Sequence, residues 1–571
     1  MLNRCPISVE RPVVFWLGLL CFTLPLWAQS PADTILYNGK IVTVDQTFSY
    51  QEALAIADGR IVDLGSDEEI EKLTGPNTRR IDLGGKTVIP GLADNHLHSI
   101  GGGPGVDLSR TRTFEELLEA ISVRVRQSRS GELVMTNSNW HEAQLKEQRL
   151  PLRRDLDRVA PDNPIVVVRG GHEYILNSAA LEKWNITATT PVPEGGRISR
   201  YRDGELNGEL VDAAKALVGL PETPPKDLQT RIQDQLEQYR KLHAVGLTSV
   251  RHPGGSIEQY RLLEEIKRRG HLTMRVSFLI RPPRGIDSEG VPAMVASWDV
   301  EPDEGDVWLR VGGVKLGVDG GFEGGWMREP YAEPWGQEGR FFGLQTVPQD
   351  TYTAVVKKLG SLNWRVATHA VGDAAIDQVL AAYQAAHRER SIRDRRWAIE
   401  HAFLPQLEHF TQMNQLGVVV SAQNHLYLAG PALQQYWGKE RAHWVVPMRS
   451  YLDHNVPVSV GTDSPVVPYS PFGVIYHFVT RETISGGVFG ESQRISREEA
   501  LRVITIGNAY LTFEEDIKGS LEPGKLADLV VLSDDIMTCS EEEIPGLTVL
   551  MTMVDGKVVF QLPDLESSVL R

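Results

Sequence analysis

The sequence has 571 residues, of which 41% are hydrophobic and 23% are charged, and this composition excludes a disordered chain, a collagen and a coiled coil. A globular chain of this length buries a large core, and length alone allows about three or four domains or one large barrel with a satellite domain. Its 59 basic and 75 acidic residues give a net charge of −16, which disfavours a nucleic-acid partner because phosphate backbones are also anionic.

Residues 1–28 are predicted to form a cleaved signal peptide. Two arginines precede a run of about 15 mostly apolar residues, 13–27, which is long enough for a secretion signal and short for a bilayer span. We expect cleavage after Ala28, so that the mature protein is periplasmic or secreted without stable membrane insertion; an uncleaved anchor is the alternative. Cleavage would leave Cys539 as the one cysteine, so no intramolecular disulfide is expected.

Both ends of the mature chain have the pattern of short strands. Their turns carry Asn-Gly, Asp-Gly and Gly-Gly pairs, of which the first two are strong hairpin signals. The segments with this pattern are 34–44, 53–64, 80–89, 528–532 and 550–560. We therefore predict one small β-sandwich domain built from both termini, residues 29–88 and 518–571.

The middle of the chain, residues 89–517, alternates strand and helix patterns as a parallel α/β fold does. The strand candidates are 88–95, 247–251, 274–280, 309–318, 365–370, 397–401, 418–422 and 458–461. Eight strands are what a TIM-like (β/α)8 barrel needs. The long gap between the first two, residues 100–225, is predicted to be an insertion after barrel strand one that covers the barrel mouth.

Five of the eight strand candidates contain or precede a side chain that can bind a metal. His96 and His98 follow the first candidate, and two histidines at i and i+2 of an extended chain point the same way. The other residues are Lys315, His369, His401 and Asp463, on strands four, five, six and eight. Each could be a satisfied buried polar group, but the ordered set at the carboxyl ends of barrel strands indicates a catalytic metal site.

This ordered set resembles that of the amidohydrolase superfamily of metal-dependent hydrolases, and more narrowly the amidohydrolase-3 family. The resemblance spans nearly the whole mature chain and includes segment 38–45, the Arg169-Gly170-Gly171-His172 motif and the superfamily-wide segment 519–528. The chain departs from the family pattern at Asp94-Asn95, where Asp-Ser is usual, and at Asn139-Trp140, where Gly-Trp is usual. Both departures lie near the predicted pocket.

The resemblance implies one or two divalent metal ions per chain, most readily zinc. It implies two groups of ligands, the more buried ion being held by His96, His98 and Asp463 and the second by His369 and His401. Lys315 would be carbamylated and bridge the two ions; an unmodified lysine is the alternative. The metal would convert water to hydroxide at physiological pH, and Asp463 would move the proton from that water to the leaving nitrogen as the catalytic base.

Five further residues are candidates for contact with the substrate, each with a structural or surface role as the alternative. His172 would reach the site from the insertion, and Arg441 would bind a carboxylate through paired hydrogen bonds. The five are Trp140, His172, Gln423, His425 and Arg441.

The predicted function is that of an exported hydrolase that cleaves a non-peptide C–N bond, in an amide, formamide or cyclic amide, of a small-molecule substrate. A mononuclear deaminase or other hydrolase on the same scaffold is one alternative, and a non-catalytic exported binding protein is another. A homodimer is compatible with the sequence.

Overall fold

The central feature of the structure is a sheet of eight parallel strands in chain order. The structure, a computed structural model, describes residues 31–221 and 224–563, so the predicted signal peptide lies outside the described residues. Asn95 N donates to Val460 O at 3.3 Å and Leu97 pairs with Ser464, so the first strand meets the last. The strands are Leu92–Asp94, Leu247–Gly255, Arg275–Ile280, Leu309–Gly317, Val366–Ala370, Ala398–His401, Val419–Gln423 and Val458–Gly461. The predicted TIM-like barrel is confirmed.

Helices surround the barrel because its strands bury side chains on both faces, as in all-parallel sheets. Helix Leu228–His243 is typical: the Asp227 side chain accepts from Thr230 N at its start, and basic residues fill its last turn. That helix precedes barrel strand two, and the helices that follow the strand are Ile257–Arg268, Val291–Ser297, Gln349–Ser361, Asp373–Glu389, Leu407–Leu416, His425–Trp437, Lys439–Trp444, Met448–Asp453, Pro471–Thr480, Arg497–Ile504 and Ile506–Leu511. Within the described ranges, no helix is both long and apolar enough to cross a bilayer.

The first predicted strand, residues 88–95, is two strands in the structure. Thr87–Pro90 belongs to the terminal β domain and Leu92–Asp94 to the barrel, with Gly91 between them. A Cβ atom on Gly91 would lie 2.3 Å from Thr248 Oγ1, so only glycine allows the chain to pass this close to barrel strand two. The pattern alone predicts an uninterrupted strand because both halves are apolar.

Both termini contribute to one β-sandwich. Strand Leu529–Leu532 pairs antiparallel with Thr87–Pro90, which joins the two ends of the chain in a single sheet. One sheet contains Arg60–Gly65, Ala53–Ala57, Thr34–Tyr37 and Arg79–Asp82; the other contains Lys557–Gln561, Val549–Val554, Leu529–Leu532, Thr87–Pro90, Lys40–Val42 and Tyr50–Gln51. Buried Arg275 of the barrel donates two hydrogen bonds to Asp528, at 2.6 and 2.9 Å, and so fixes the sandwich to the barrel.

The insertion after barrel strand one forms its own five-stranded sheet. Its strands are Gly196–Arg200, Leu206–Asp212, Glu173–Leu176, Ile165–Arg169 and Val134–Met135, in that spatial order. Its helices are Phe114–Arg126, Arg153–Val159 and Ser178–Lys183; the remaining short elements of the chain are helix Asp67–Glu71, the hairpin Glu482–Thr483 and Gly487–Val488, and single 3-10 turns. Side chains of the insertion line the same cavity as the predicted metal ligands, so it roofs the carboxyl end of the barrel.

His243 gives the fold a dependence on pH. Its ring is buried, with Nδ1 2.9 Å from Leu247 O and Nε2 3.0 Å from Thr273 Oγ1, and burial lowers its pKa to about 4. The unfolded chain takes up this proton near the ordinary value, so acidification from pH 6.5 towards 4 favours unfolding, by up to roughly 3 kcal/mol. We expect the stability advantage of the wild type over His243→Asn, measured by urea unfolding, to shrink across this window; a pH-independent difference would contradict the assignment.

Candidate metal centre

The six predicted metal ligands line one cavity of about 770 Å³ at the carboxyl end of the barrel. They come from five strands and from the turns that follow them. His96, His98, Lys315, His369, His401 and Asp463 all contribute to the cavity wall. The carboxyl edge of a barrel gathers such residues from distant parts of the sequence, which is why active sites of this fold lie there.

His96, His401 and Asp463 form the tightest group. One ligand atom of each lies within 4.8 Å of the others, and all three residues are buried. His96 Nδ1 lies 2.7 Å from Glu400 Oε2, and His401 Nδ1 lies 2.7 Å from Gln423 Oε1. Both oxygens accept, because the Gln423 amide nitrogen donates to Ser421 O. Each Nδ1 therefore carries the proton, and each Nε2 is left with a lone pair for a metal.

The protonation states of these histidines suit a cation. Burial lowers the pKa of His96 to about 4 and holds that of His401 well below its ordinary value, so both rings are neutral at pH 7. Burial raises the pKa of Asp463, but the neighbouring His96, His425 and His98 outweigh it and hold that carboxyl well below its usual range. Two neutral imidazoles and a carboxylate in a buried pocket are a donor set that fits zinc.

Two of these ligands have unusual backbone conformations. His401 has φ of +74° and Asp463 has φ of +57°, in the left-handed region that non-glycine residues rarely occupy. Such residues cost of order 1–3 kcal/mol each and cluster at functional sites. Asp463 N donates to His96 O at 2.7 Å, which helps to hold the strained turn.

The remaining predicted ligands adjoin this group. His98 Nε2 lies 3.2 Å from Asp463 Oδ1, and the His369 ring centroid lies 4.6 Å from that of His401. The tightest group thus takes members from both predicted metal sites, since His401 was assigned to the second ion and His96 to the first. The division of ligands between two ions stays a prediction.

Lys315 is the one cationic side chain among these ligands. It is buried, and burial lowers the pKa of its ammonium to about 8. Gly254 faces it from barrel strand two, where a Cβ atom would lie 3.2 Å from Lys315 Cγ. A lysine with a pKa near 8 has an appreciable neutral fraction at physiological pH and can act as a nucleophile.

Glu400 is a site residue that sequence reasoning missed. It is fully buried, accepts from His96 Nδ1 at 2.7 Å and accepts from Arg251 Nη1 at 2.7 Å. Its neighbour His401 was singled out, and alternation along a strand predicts opposite faces for the two. The positive φ of His401 breaks that alternation, so both side chains serve the site.

Replacing Glu400 with glutamine is expected to weaken metal binding by about 10- to 100-fold. A glutamine nitrogen facing His96 would donate to Nδ1 and shift the ring proton to Nε2, where it blocks coordination. Competition with a chromogenic chelator measures the effect, and exposed Glu408→Gln is the matched control. Unchanged affinity in a folded Glu400→Gln protein would show that this carboxylate does not set the tautomer of His96.

Three of the five predicted substrate contacts lie at the cavity. Trp140 and His172 reach it from the insertion, and His425 lies with Nε2 3.2 Å from Asp463 Oδ2. His172 is held by Asp212, whose Oδ1 lies 2.6 Å from its Nδ1, and its ring centroid lies 5.4 Å from that of His369. Asp212 was not singled out from the sequence.

Gln423 and Arg441 do not line the cavity, and their side chains are bonded to other parts of the protein, so the substrate contacts predicted for them stay untested. Gln423 is fully buried; its amide oxygen accepts from His401 Nδ1 and its amide nitrogen donates to Ser421 O. Arg441 donates to the carbonyls of Trp437, Glu329 and Pro330, at 2.6, 3.2 and 2.7 Å, and so connects its helix to the end of the preceding helix and to the loop at 329–330. Neither residue lines the cavity.

Arg169, from the Arg169–His172 motif, joins the insertion to the barrel. Its guanidinium donates to Glu142 of the insertion at 2.7 Å and to Glu323, in the loop after barrel strand four, at 2.8 Å. All three residues are buried, so each charge is compensated by its neighbours. This network holds the roof at a fixed position over the ligands.

Comparisons with known proteins agree with this arrangement. A family model described as "Amidohydrolase family" matches residues 79–560. The chain is 31% identical to an N-substituted formamide deformylase of Arthrobacter pascens, over 93% of this chain and 98% of that protein, and 28% identical to the protein LONG AFTER FAR-RED 3 of Arabidopsis thaliana, over 96% and 94%. A solved structure of an uncharacterized metal-dependent hydrolase from Pyrococcus furiosus is 25% identical, covers 88% of this chain and 100% of its own, and has a TM-score of 0.62.

Proposed function

The chain belongs to the amidohydrolase family and is a metal-dependent hydrolase of C–N bonds. On that premise we propose that its substrate is a small non-peptide amide, in the first place a substituted formamide. The observation that carries the proposal is the buried His96, His401 and Asp463 group, whose imidazoles have their Nδ1 protons fixed by Glu400 and Gln423. The named activity of the Arthrobacter pascens relative supports the choice of a formamide.

His96, His401 and Asp463 would hold one divalent ion, with His98, His369 and Lys315 placed to add ligands for it or for a second. A divalent ion in such a site lowers the pKa of water and polarises a carbonyl group. The residues themselves fix the orientation of the donors, because Glu400 and Gln423 lock both rings before any ion arrives. Trp140 and other residues of the insertion line the same cavity and would limit the access of bulk water.

Asp463 is the residue we propose to move the proton. Its carboxylate is ionised at neutral pH and can accept a proton from the attacking water at one oxygen and return it to the leaving nitrogen. His98 Nε2 lies 3.2 Å from Oδ1 and His425 Nε2 3.2 Å from Oδ2, so both oxygens have a ring nitrogen beside them. These contacts fix the orientation of the carboxylate toward the cavity.

Carbamylation of Lys315 is part of the proposal. The neutral Nζ would add to carbon dioxide, forming an N–C bond and losing one proton, to give an anionic carbamate with two oxygens. Lys315 is buried in the cavity wall that the predicted histidine ligands also line, and the lowering of its pKa to about 8 by burial favours the reactive neutral amine. The anionic product would offer ligands where the ammonium repels a cation.

Export to the periplasm or exterior is also proposed, on the apolar run 13–27 alone. Mass spectrometry of the protein from culture fractions should then find an N-terminus at Gln29. An unprocessed chain in the cytoplasmic fraction would refute export and leave the chemistry untouched.

A substrate panel tests the proposed activity. Zinc-reconstituted protein is assayed with N-formyl amines, N-acyl amines, cyclic amides and esters, and the released formate, acid, amine and ammonia are measured. We expect formate and amine in equal amounts from N-formyl amines, lost in His401→Ala and retained in His271→Ala, a histidine outside the cavity. Ammonia as the sole nitrogen product would identify a deaminase, and no turnover of any member would favour a binding protein.

A further inference from the structure

Two arginines of the cavity wall have no part in the metal centre. Arg281 and Arg284 follow barrel strand three, in the segment Arg281-Pro282-Pro283-Arg284, and both line the cavity. The two prolines fix the backbone φ angles between them, so the arginines are presented from a stiff segment. Arg281 N donates to Gly255 O at 3.0 Å, which anchors the segment to strand two.

The guanidinium of Arg281 lies beside the ligands. A Cβ atom on Gly254 would lie 2.9 Å from Arg281 Nε and 3.2 Å from Lys315 Cγ, so the arginine passes over the glycine next to Lys315. Gly254 has φ of +94°, and a side chain there would be both strained and in collision with the arginine. Because residue 254 is a glycine, strand two leaves room for the guanidinium of Arg281 at the edge of the metal centre.

Neither arginine forms an ion pair within the described part of the chain. Their guanidinium groups make no ion pair or hydrogen bond there, whereas Arg169, the third arginine of the wall, is bonded to Glu142 and Glu323. Acidic groups of the same wall have other partners: Asp212 holds His172, and Asp463, whose charge acts on Arg281, lies 3.2 Å from His98 and from His425. Exposed Glu194 pairs with neither arginine. Burial and then the charge of Arg284 lower the pKa of Arg281, and the opposing effect of the Asp463 carboxylate is smaller.

From this geometry we propose that Arg281 and Arg284 bind a carboxylate carried by the substrate, so that the preferred substrates are N-formyl or N-acyl amino acids rather than neutral amides. The inference rests on the proposed amide hydrolysis and specifies its substrate. Guanidinium groups bind carboxylates through paired hydrogen bonds, and the position of Arg281 beside Lys315 requires that the carboxylate lie a few atoms from the scissile bond. The carboxylate would supply the ion-pair partner that neither guanidinium has among the described residues.

The test compares N-formylphenylalanine with its decarboxylated analogue N-formyl-2-phenylethylamine. We expect the wild type to favour the carboxylate by about 10- to 100-fold in kcat/KM, the size of a charged hydrogen-bond contribution. The double variant Arg281→Met, Arg284→Met should lose this preference, so that its ratio of kcat/KM for the carboxylate to kcat/KM for the neutral analogue falls to about one. Arg268→Met, on an exposed helix end outside the cavity, is the matched control and should behave as the wild type.

A binding measurement separates this inference from the proposed activity. Calorimetry of phenylalanine and 2-phenylethylamine is carried out on metal-loaded and chelator-treated protein, and we expect tighter binding of the amino acid in both forms of the wild type but in neither form of the double variant. The arginine site would be overturned if the double variant preferred the amino acid as strongly as the wild type does, or if chelation alone abolished the preference in the wild type. If neither formamide is hydrolysed, the proposed activity fails, and the binding data still decide the arginine site.

Discussion

Replacing Asp463 with asparagine is expected to lower kcat by about a thousandfold, because a positioned acid–base group contributes about 10²- to 10⁴-fold. Asparagine keeps an amide oxygen in the place of one carboxylate oxygen, but it cannot accept and return a proton. Steady-state kinetics on an N-formyl amine, with metal analysis of the same samples, measures the effect.

The matched control for this variant is Asp373→Asn. Asp373 is another buried carboxyl near the barrel mouth, but it accepts from Arg328 N and lies outside the cavity wall. We expect its kcat to stay within about threefold of the wild type, since it holds a loop and touches no reacting atom. Retention of more than about a tenth of kcat by metal-loaded Asp463→Asn would contradict general-base catalysis by this residue.

Replacing Lys315 with alanine is expected to remove one of two metal ions and to lower kcat/KM by about a hundredfold or more. A metal ion supplies several kcal/mol of charge stabilisation in the transition state, and 1.36 kcal/mol corresponds to a factor of ten. Metal content per chain, with and without added bicarbonate, measures the first effect. Bicarbonate should raise the metal content of the wild type and leave that of the variant unchanged.

Lys315→Arg is the informative companion because it keeps the cation and cannot form the carbamate. We expect it to resemble the alanine variant in metal content. A Lys315→Ala protein that holds two ions and retains full activity would refute the bridging role, and a wild type that holds a single ion at all bicarbonate concentrations would favour a mononuclear site.

The barrel could be predicted from sequence because its strands are short runs of buried apolar residues with polar groups at one end. All eight predicted segments overlap barrel strands, and the prediction failed mainly where an apolar stretch crosses from sandwich to barrel at Gly91. The glycine is needed for close approach to Thr248, a long-range contact that local pattern does not encode.

The order of the predicted ligands along the chain was enough to place them together at the carboxyl end of the barrel, whereas their surroundings could not be predicted. The alternation rule assigns neighbouring residues to opposite faces, and it fails at His401, where a positive φ lets Glu400 and His401 both face the site. Gln423 follows the alternation rule, but its side chain bonds to His401. The guanidinium of Arg441 donates to backbone carbonyls, among them that of Pro330. Which polar side chains can contact a substrate depends on such long-range partners, which the local sequence pattern does not show. The packing of Arg281 against Gly254 is another long-range contact of this kind.

The most direct test of a catalytic metal centre is a titration of metal-free protein with zinc, with formate release from an N-formyl amine as the readout. The group formed by His96, His401 and Asp463 predicts that activity rises from baseline with each equivalent and reaches a plateau at one or two ions per chain, and that His401→Ala stays at baseline throughout. Activity that persists in the metal-free protein, or that rises equally in His401→Ala, would contradict the assignment of this cavity as the metal-dependent active site.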